Sequence, residues 1–308
     1  MEHFEDTTCK NVRKYQQGMR EVLMLLALLL GQYCMAQTDL VFKLIKEHGQ
    51  FFCETTLNGV NAKVMVETGV PGLVMSEAFY KAHKDSLKLE VKESDQKIRH
   101  LGGLRHVKYK AQARMQIGGA TFEGPVNIIR EDHVIMIPIQ MLHHPLDSSS
   151  IVRIDLEGLQ LSVCSREHLQ NLTKKASVWP LTYNQFGMPV ITTSLSIKAY
   201  EQRIDITGKF ITDLGNASLL SLNRYNPDID KLAKEGKLRL YDARDKRTGE
   251  VVAQGFQADK LTVCNRTYKG FTVGVSTFKG LDECGFFGLK FFQRPAVFDF
   301  DENKLYLE

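Results

Sequence analysis

The sequence repeats one pattern twice, and each copy carries an acidic residue at the same point. Apolar runs lead into Glu67-Thr68-Gly69 and, 146 residues later, into Asp213-Leu214-Gly215. Each half then closes on a similar apolar strand, with Asp155 in the first and Asp299 in the second, 144 residues apart. Such a duplication can bring one carboxyl group from each half together across a cleft. Two facing carboxyl groups can share a proton and activate a water molecule.

Length and composition are those of an ordinary globular protein. The chain has 308 residues, which is enough for two lobes that each bury an apolar core. Hydrophobic residues make up 43% of it, charged residues make up 25%, and the formal net charge is +4. A nucleic-acid-binding surface requires runs of Lys and Arg interleaved with aromatic residues, and this sequence contains no such run. We therefore expect no nucleic-acid partner.

A segment near the start of the chain has the pattern of a secretory signal. Residues 22–30 are apolar, with Arg20 just before them and Cys34-Met35-Ala36 just after. A basic residue, a short apolar run and a small-residue site are typical of a signal peptide, here cut after Ala36. A membrane-spanning helix needs about 20 apolar residues, so this run is too short for one. We predict that residues 1–36 are a leader and signal peptide. The mature protein would then be periplasmic or secreted, without stable membrane insertion.

Cysteine content leaves two interpretations open. The predicted mature chain has four cysteines, Cys53, Cys164, Cys264 and Cys284. An even number in an oxidising compartment permits two disulfides, with three connectivities. We favour pairing within each half, Cys53 with Cys164 and Cys264 with Cys284. The alternative is four buried thiols, because unpaired cysteine is often buried.

The pattern after the signal is mostly that of β-strands. Short runs rich in Val, Ile, Thr and Phe are separated by Gly, Asn and Asp, and helical periodicity is scarce. Leu57–Asn61 predicts a hairpin turn, because Asn-Gly adopts positive φ angles. Ser76–Lys84 predicts a short helix with a serine cap, and Asn226–Gly236 predicts another that ends at glycine. Trp179–Val190, with two prolines and a glycine, suits the crossing between the halves, and we place the boundary near Ser177.

The order of the motifs is more specific than any one of them. They are Glu67-Thr68-Gly69, Leu101–Leu104, Ile117–Phe122, Met136–Ile139 and Ile151–Val163 in the first half, and Asp213–Asn216, Gly255-Phe256, Thr267–Val275, Gly285–Phe292 and Ala296–Leu307 in the second. This order resembles that of the retropepsin-like aspartic proteases in their two-lobed bacterial form. The resemblance implies an all-β, acid-protease-like fold of two β-barrel lobes with a few short helices. The lobes would be residues 37–176 and 177–308.

The resemblance also implies the residues of a site. Glu67 and Asp213 would be the catalytic pair, and an extended peptide or protein segment would be the substrate. The substrate-binding residues would be Thr68, Gly69, Leu214, Gly215, Asn216, Gly102, Gly103 and Gly255. Gly102 and Gly103 would lie at the tip of a flap. Neither a metal nor a cofactor is implied, and the histidines at His100, His106 and His143-His144 lack the spacing of a zinc site.

Several departures from the family pattern bear on catalysis. Glu67 stands where the family has Asp, so its carboxyl group lies one methylene, about 1.5 Å, further from the backbone. Catalytic groups tolerate displacements of about 0.5 Å. Leu214 replaces a hydroxyl residue, Val70 and Asn216 replace small residues, and Met136–Leu142 lacks the family glycine. We therefore favour a peptide-binding cleft in which Glu67 and Asp213 do not hydrolyse peptides. The alternative is an active aspartic endopeptidase that uses this pair.

Overall fold

Alternation of apolar and polar residues over most of the chain produces β-strands that bury one face. The structure is a computed structural model that describes residues 39–100, 103–130, 134–244 and 247–308. The predicted signal peptide and Gly102 lie outside the described residues. In the described part, no helix is long and apolar enough to cross a membrane.

The strands divide between the two halves of the chain. Those of the first half are β1 (Leu40–Lys43), β2 (Ile45–Glu47), β3 (Gln50–Leu57), β4 (Val60–Glu67), β5 (Leu73–Ser76), β6 (Lys92–Glu93), β7 (Lys97–His100), β8 (Gly103–Ile117), β9 (Ala120–Ile129), β10 (Ile135–Pro138), β11 (Leu142–His143), β12 (Ile151–Asp155) and β13 (Gln160–Cys164). Those of the second half are β14 (Ser177–Tyr183), β15 (Pro189–Ala199), β16 (Gln202–Thr212), β17 (Leu220–Asn223), β18 (Tyr241–Arg244), β19 (Val251–Val263), β20 (Arg266–Ser276), β21 (Gly285–Phe287), β22 (Ala296–Asp299) and β23 (Lys304–Leu307). The helices are α1 (Glu77–Leu87), α2 (Leu169–Thr173) and α3 (Pro227–Lys234), and 3-10 turns span Ile139–Met141 and Leu289–Phe292.

Local sequence signals explain where several of these elements begin and end. Asn58 and Gly59 have φ angles of 46° and 84°, which confirms the predicted turn between β3 and β4. The Ser76 hydroxyl accepts a hydrogen bond from the Phe79 amide and caps α1. Asn226 caps α3 in the same way, by accepting from the amide two residues later. The two predicted helices are therefore confirmed.

The duplication is visible in how the strands pair. In the first half β10 lies parallel to β4 and antiparallel to β5, and β5 lies parallel to β9. In the second half β21 lies parallel to β16 and antiparallel to β17, and β17 lies parallel to β20. α1 follows β5, and α3 follows β17. The acidic residues end or follow the equivalent strands β4 and β16, so the repeat places them at matching points.

The closing strands of the two halves share a sheet. β1, β13, β12, β22, β23 and β14 are neighbours in that order, and they continue into the sheet of the second half. β12 and β22 pair antiparallel, with Ile151 opposite Asp299. The predicted crossing at Trp179–Val190 is instead β14, a turn and the start of β15. Residues 165–176, which include α2, make the connection between the halves.

An ion cluster lies beside this shared sheet. Arg166, which follows β13, donates to both carboxylate oxygens of Asp299 and to Asp301, 2.5 Å from its Oδ2. The Asp299 side chain is fully buried, whereas Arg166 is 35% exposed. The cluster ties the end of the first half to the last hairpin of the second.

The predicted disulfides are absent from the described chain. Cys53, Cys164, Cys264 and Cys284 are all buried, and none is in a disulfide. The predicted pairing is therefore wrong, and the alternative of buried thiols is confirmed. Cys264 faces the Thr193 hydroxyl at 3.7 Å rather than another sulfur. Burial raises the pKa of Cys53 to about 12 and that of Cys264 to about 11, so both are neutral thiols.

Candidate functional site

The two acidic residues have the same local arrangement. Glu67 is the last residue of β4, and Asp213 directly follows β16. The Gly69 amide donates to Glu67 Oε1 at 2.8 Å, and the Gly215 amide donates to Asp213 Oδ1 at 3.0 Å. Each carboxyl group therefore accepts from the glycine two residues later. Glu67 keeps this contact despite its additional methylene.

The two acid loops meet, and their glycines make that approach possible. A Cβ atom on Gly69 would lie 2.8 Å from both Glu67 Oε1 and Asp213 Oδ1. A Cβ atom on Gly215 would lie closer than 3.0 Å to Glu67 Oε2, a separation that real Cβ atoms essentially never show. Only glycine fits at either position, since any larger residue would push into the carboxyl pair.

The Glu67 and Asp213 carboxyl groups lie side by side, since one Cβ atom on Gly69 would be 2.8 Å from an oxygen of each. Burial raises the pKa of Glu67 well above its ordinary value, and the neighbouring Asp213 carboxyl group raises it further, by its charge and by a side-chain hydrogen bond. The Gly69 and Gly215 amides act in the opposite direction and lower it. Two carboxyl groups this close repel one another when both are charged. The pair therefore titrates as a unit.

Thr68 joins the two loops from the first half. Its hydroxyl donates to the Thr212 carbonyl at 2.7 Å and accepts from the Leu214 amide at 3.0 Å. Thr68 is fully buried, so these bonds satisfy groups that water cannot reach. Leu214, at the equivalent position of the second half, is 1% exposed and has no hydroxyl to return the contact. The loops are therefore bridged by one hydroxyl group instead of two.

Two glutamines hold the loops, and sequence reasoning missed both. The Gln140 amide nitrogen lies 3.3 Å from the Thr68 carbonyl and 3.3 Å from the Val70 carbonyl. The Gln50 amide nitrogen, at the start of β3, lies 2.5 Å from the Gly215 carbonyl in the other half. The absence of the family glycine from Met136–Leu142 could have indicated that a different residue, here Gln140, contacts the first acid loop. No sequence pattern indicates the Gln50 contact, because it depends on how the halves pack.

The Asn216 side chain makes hydrogen bonds to nearby residues of the second half. Its Oδ1 accepts from the Ser218 amide at 3.0 Å, and its Nδ2 donates to the Ser221 hydroxyl at 3.2 Å. Its backbone carbonyl accepts from the Leu289 amide at 2.8 Å. The predicted role of Asn216 in substrate binding stays a prediction.

The residues of the predicted flap fall in the region of β7 and β8, where His100 pairs with Gly103. Residues 101–102 lie outside the described residues, and the flap stays a prediction. Ile98 on β7 packs against an apolar cluster that includes Val70 and Val107. Val70 directly follows Glu67-Thr68-Gly69, so β7 lies beside the first acid loop.

Gly255 is a strand residue, and its predicted role in substrate binding stays a prediction. It lies within β19, opposite Gly274 of β20 and Tyr241 of β18. A Cβ atom there would lie 2.6 Å from the Val273 carbonyl, so sheet packing accounts for the glycine. The turn of the β18–β19 hairpin falls between Arg244 and Val251. Across the described residues, no cluster of three or more His, Cys, Asp or Glu side chains could hold a metal ion.

Comparison with solved structures finds the same fold in a known protein. The crystal structure of aspartic proteinase from Irpex lacteus superposes with a TM-score of 0.55 and covers 88% of this chain and 97% of its own. The two sequences are 11% identical, so the likeness concerns the fold alone. No protein-family model and no curated protein matches the sequence. The chain thus has the two-lobed, all-β fold of the acid proteases, as predicted.

Proposed function

We propose that this protein is an aspartic-type endopeptidase that hydrolyses extended peptides with Glu67 and Asp213. The observation that supports it most is the close approach of two carboxyl groups, one from each half, at the meeting point of two equivalent loops. The finer relationship to the retropepsin-like proteases is part of the same proposal. So is export, which is supported by the signal pattern in residues 1–36.

The raised pKa of Glu67 supports one division of roles within this proposal. Glu67 carries the shared proton in the resting pair, and Asp213, which is partly exposed, is the base. Asp213 takes a proton from a water molecule as the water oxygen attacks the peptide carbonyl carbon. Glu67 gives its proton to the carbonyl oxygen, which forms a tetrahedral diol. Asp213 then protonates the amide nitrogen as the C–N bond breaks, and a diol proton returns to Glu67.

The additional methylene of Glu67 does not weigh against this role. Displacement of a catalytic group by 1 Å can cost about a hundredfold in rate. Glu67 Oε1 nevertheless makes the same glycine contact as Asp213 Oδ1, with distances of 2.8 Å and 3.0 Å. In this proposal, the loop after β4 accommodates the longer side chain while it keeps the glycine contact.

A second candidate function is peptide binding without cleavage. Glu67 is 3% exposed and the Leu214 side chain cannot form a hydrogen bond, and both features favour a cleft whose acids do not reach a substrate. An extended peptide would then bind by backbone hydrogen bonds alone.

A cleavage assay separates the two functions. Purified protein is incubated with denatured protein substrates from pH 3 to pH 8, with and without a hydroxyl-containing transition-state mimic. We expect inhibitor-sensitive cleavage that Glu67→Gln and Asp213→Asn each abolish. Peptide binding with no cleavage at any pH would support the second function. Cleavage that survives both substitutions would exclude this pair as the catalytic residues.

A further inference from the structure

The second acid loop is held by a close approach between two backbones. The Leu289 amide donates to the Asn216 carbonyl at 2.8 Å. The residue before it is Gly288, and a Cβ atom there would lie closer than 3.0 Å to the same carbonyl. Glycine is therefore what allows this element to contact the loop directly.

The first half has proline at the equivalent position. β10 pairs with β4 as β21 pairs with β16, so Met136 opposite Met65 matches Phe286 opposite Ile211. This register aligns Pro138 with Gly288. Pro138 has ring atoms where Gly288 has only hydrogen, so this element cannot approach the first acid loop as closely. The counterpart of the Leu289 amide is the Ile139 amide, and among the described residues it makes no hydrogen bond to the Val70 carbonyl.

A side chain supplies the missing contact. Gln140 lies two residues after Pro138, and Val70 is the counterpart of Asn216, three residues after its acid. The Gln140 amide nitrogen is 3.3 Å from the Val70 carbonyl and also from the Thr68 carbonyl. Facing two carbonyl oxygens fixes the orientation of the amide, because the reverse orientation would oppose oxygen to oxygen. Lys290, the counterpart of Gln140, is exposed.

The contact between Gln140 and the Thr68 carbonyl also affects the hydrogen bond to Glu67. The Thr68 carbonyl and the Gly69 amide belong to one planar peptide unit, so fixing the direction of one fixes the other. The Gly69 amide is the group that donates to Glu67 Oε1 at 2.8 Å. Gln140 therefore orients the hydrogen bond that Glu67 accepts without touching Glu67.

We propose that Gln140 is a positioning residue for the Glu67 carboxyl group, and that its side chain replaces the glycine-dependent contact seen in the second half. The effect of Gln140 on the reaction rate rests on the proposed peptidase function. Its effect on the geometry of the first acid loop does not. Experiments can therefore refute the positioning role and the peptidase function separately.

The test removes the amide while keeping the size of the side chain. Gln140→Met is compared with Gln185→Met, because the Gln185 amide donates to the Gly280 carbonyl in an exposed loop at 3.0 Å. We expect Gln140→Met to lower kcat by roughly tenfold to a hundredfold with little change in KM. The control should change neither. Should Gln140→Met not fold, Gln140→Asn, which is one methylene too short to reach, takes its place.

A second measurement does not depend on activity. The Glu67 carboxyl carbon is titrated by NMR and assigned by comparison with Glu67→Gln. In Gln140→Met its pKa should rise, because a misdirected Gly69 amide no longer lowers it. Adding Pro138→Gly to this variant should return the titration toward the wild type, since glycine permits the backbone contact.

The outcomes separate the hypotheses. An unchanged Glu67 titration in Gln140→Met overturns the positioning role, whatever happens to stability or rate. A changed titration in a wild-type protein that cleaves nothing supports positioning and refutes the peptidase. If Pro138→Gly fails to restore the titration, the replacement of the glycine contact is refuted.

Discussion

The Thr68 hydroxyl accepts a hydrogen bond from the Leu214 amide at 3.0 Å, across 146 residues of sequence. The same hydroxyl donates to the Thr212 carbonyl. One buried side chain of the first half thus satisfies two backbone groups of the second, beside the carboxyl pair. Leu214, at the equivalent position of the second half, has no hydroxyl group and cannot form the reciprocal bridge. The geometry of the site therefore depends on the bridge made by Thr68.

Removal of the bridge should cost both stability and activity. Thr68→Val keeps the shape of the side chain but leaves a buried amide and a buried carbonyl without a partner. We expect the free energy of unfolding to fall by about 1–3 kcal/mol, measured by urea denaturation. Thr68→Ser keeps the hydroxyl and should lose much less. Equal losses in the two variants would show that the hydroxyl is unimportant.

The shared proton should give the folded protein a distinctive pH dependence. Because the pKa of Glu67 is raised in the folded state, the folded protein holds this proton where the unfolded chain, with its ordinary value of 4.5, has lost it. Its contribution to stability is present below pH 4.5 and is lost as pH rises through the folded-state pKa. Glu67→Gln, which mimics the protonated form, should therefore gain stability relative to the wild type as pH rises. A constant difference from pH 4 to pH 8 contradicts this.

The carboxyl pair should not tolerate a methyl group between the loops. Gly215→Ala places a Cβ atom against Glu67 Oε2 and must separate the acids. We expect roughly a hundredfold loss of kcat with the fold retained by circular dichroism. Gly158→Ala is the control, since it lies in the exposed turn between β12 and β13 and its Cβ atom would meet only the end of the Asp155 side chain, at 2.9 Å. Unaltered activity in Gly215→Ala would mean that the acids need not be close.

The ion cluster at the shared sheet should contribute to stability through Asp299. Arg166→Met leaves a fully buried carboxylate without its cationic partner. We expect the free energy of unfolding at pH 7 to fall by about 3 kcal/mol, measured by chemical denaturation. Arg203→Met breaks an exposed pair with Asp205 and should have little effect. A similar loss in both variants would argue against a special role for the buried pair.

The buried thiols should be protected from alkylation. Cys53 and Cys264 are neutral because burial raises the pKa of each, and neutral thiols react slowly. Iodoacetamide at pH 8 should leave both unmodified in the folded protein and should modify both in urea without a reductant, as measured by mass spectrometry. Resistance in urea that disappears on reduction would instead indicate disulfides.

Sequence patterns with a local cause predicted the structure well. The Asn58-Gly59 turn and the caps at Ser76 and Asn226 depend on neighbouring residues, and all three are present. The meeting of the acid loops also followed from sequence, because duplication relates Glu67 to Asp213 by symmetry.

Features that depend on packing were missed or mistaken. An even number of cysteines suggested disulfides, but Cys264 faces a threonine hydroxyl. The Gln50 contact with Gly215 joins residues 165 apart and has no local signature. The pairing of β12 with β22 is likewise a choice among many similar apolar strands, which periodicity does not resolve.

The pairing of β12 with β22 means that the closing strands of each half depend on the other half to complete their sheet. If either half were expressed alone, β12 or β22 would present a row of unsatisfied backbone amides and carbonyls along an apolar strand. Such an edge is a template for association with other chains. We therefore expect a fragment to aggregate or to dimerise through this edge. In the intact protein the same strand pairing forms within one molecule, because β12 and β22 belong to one polypeptide.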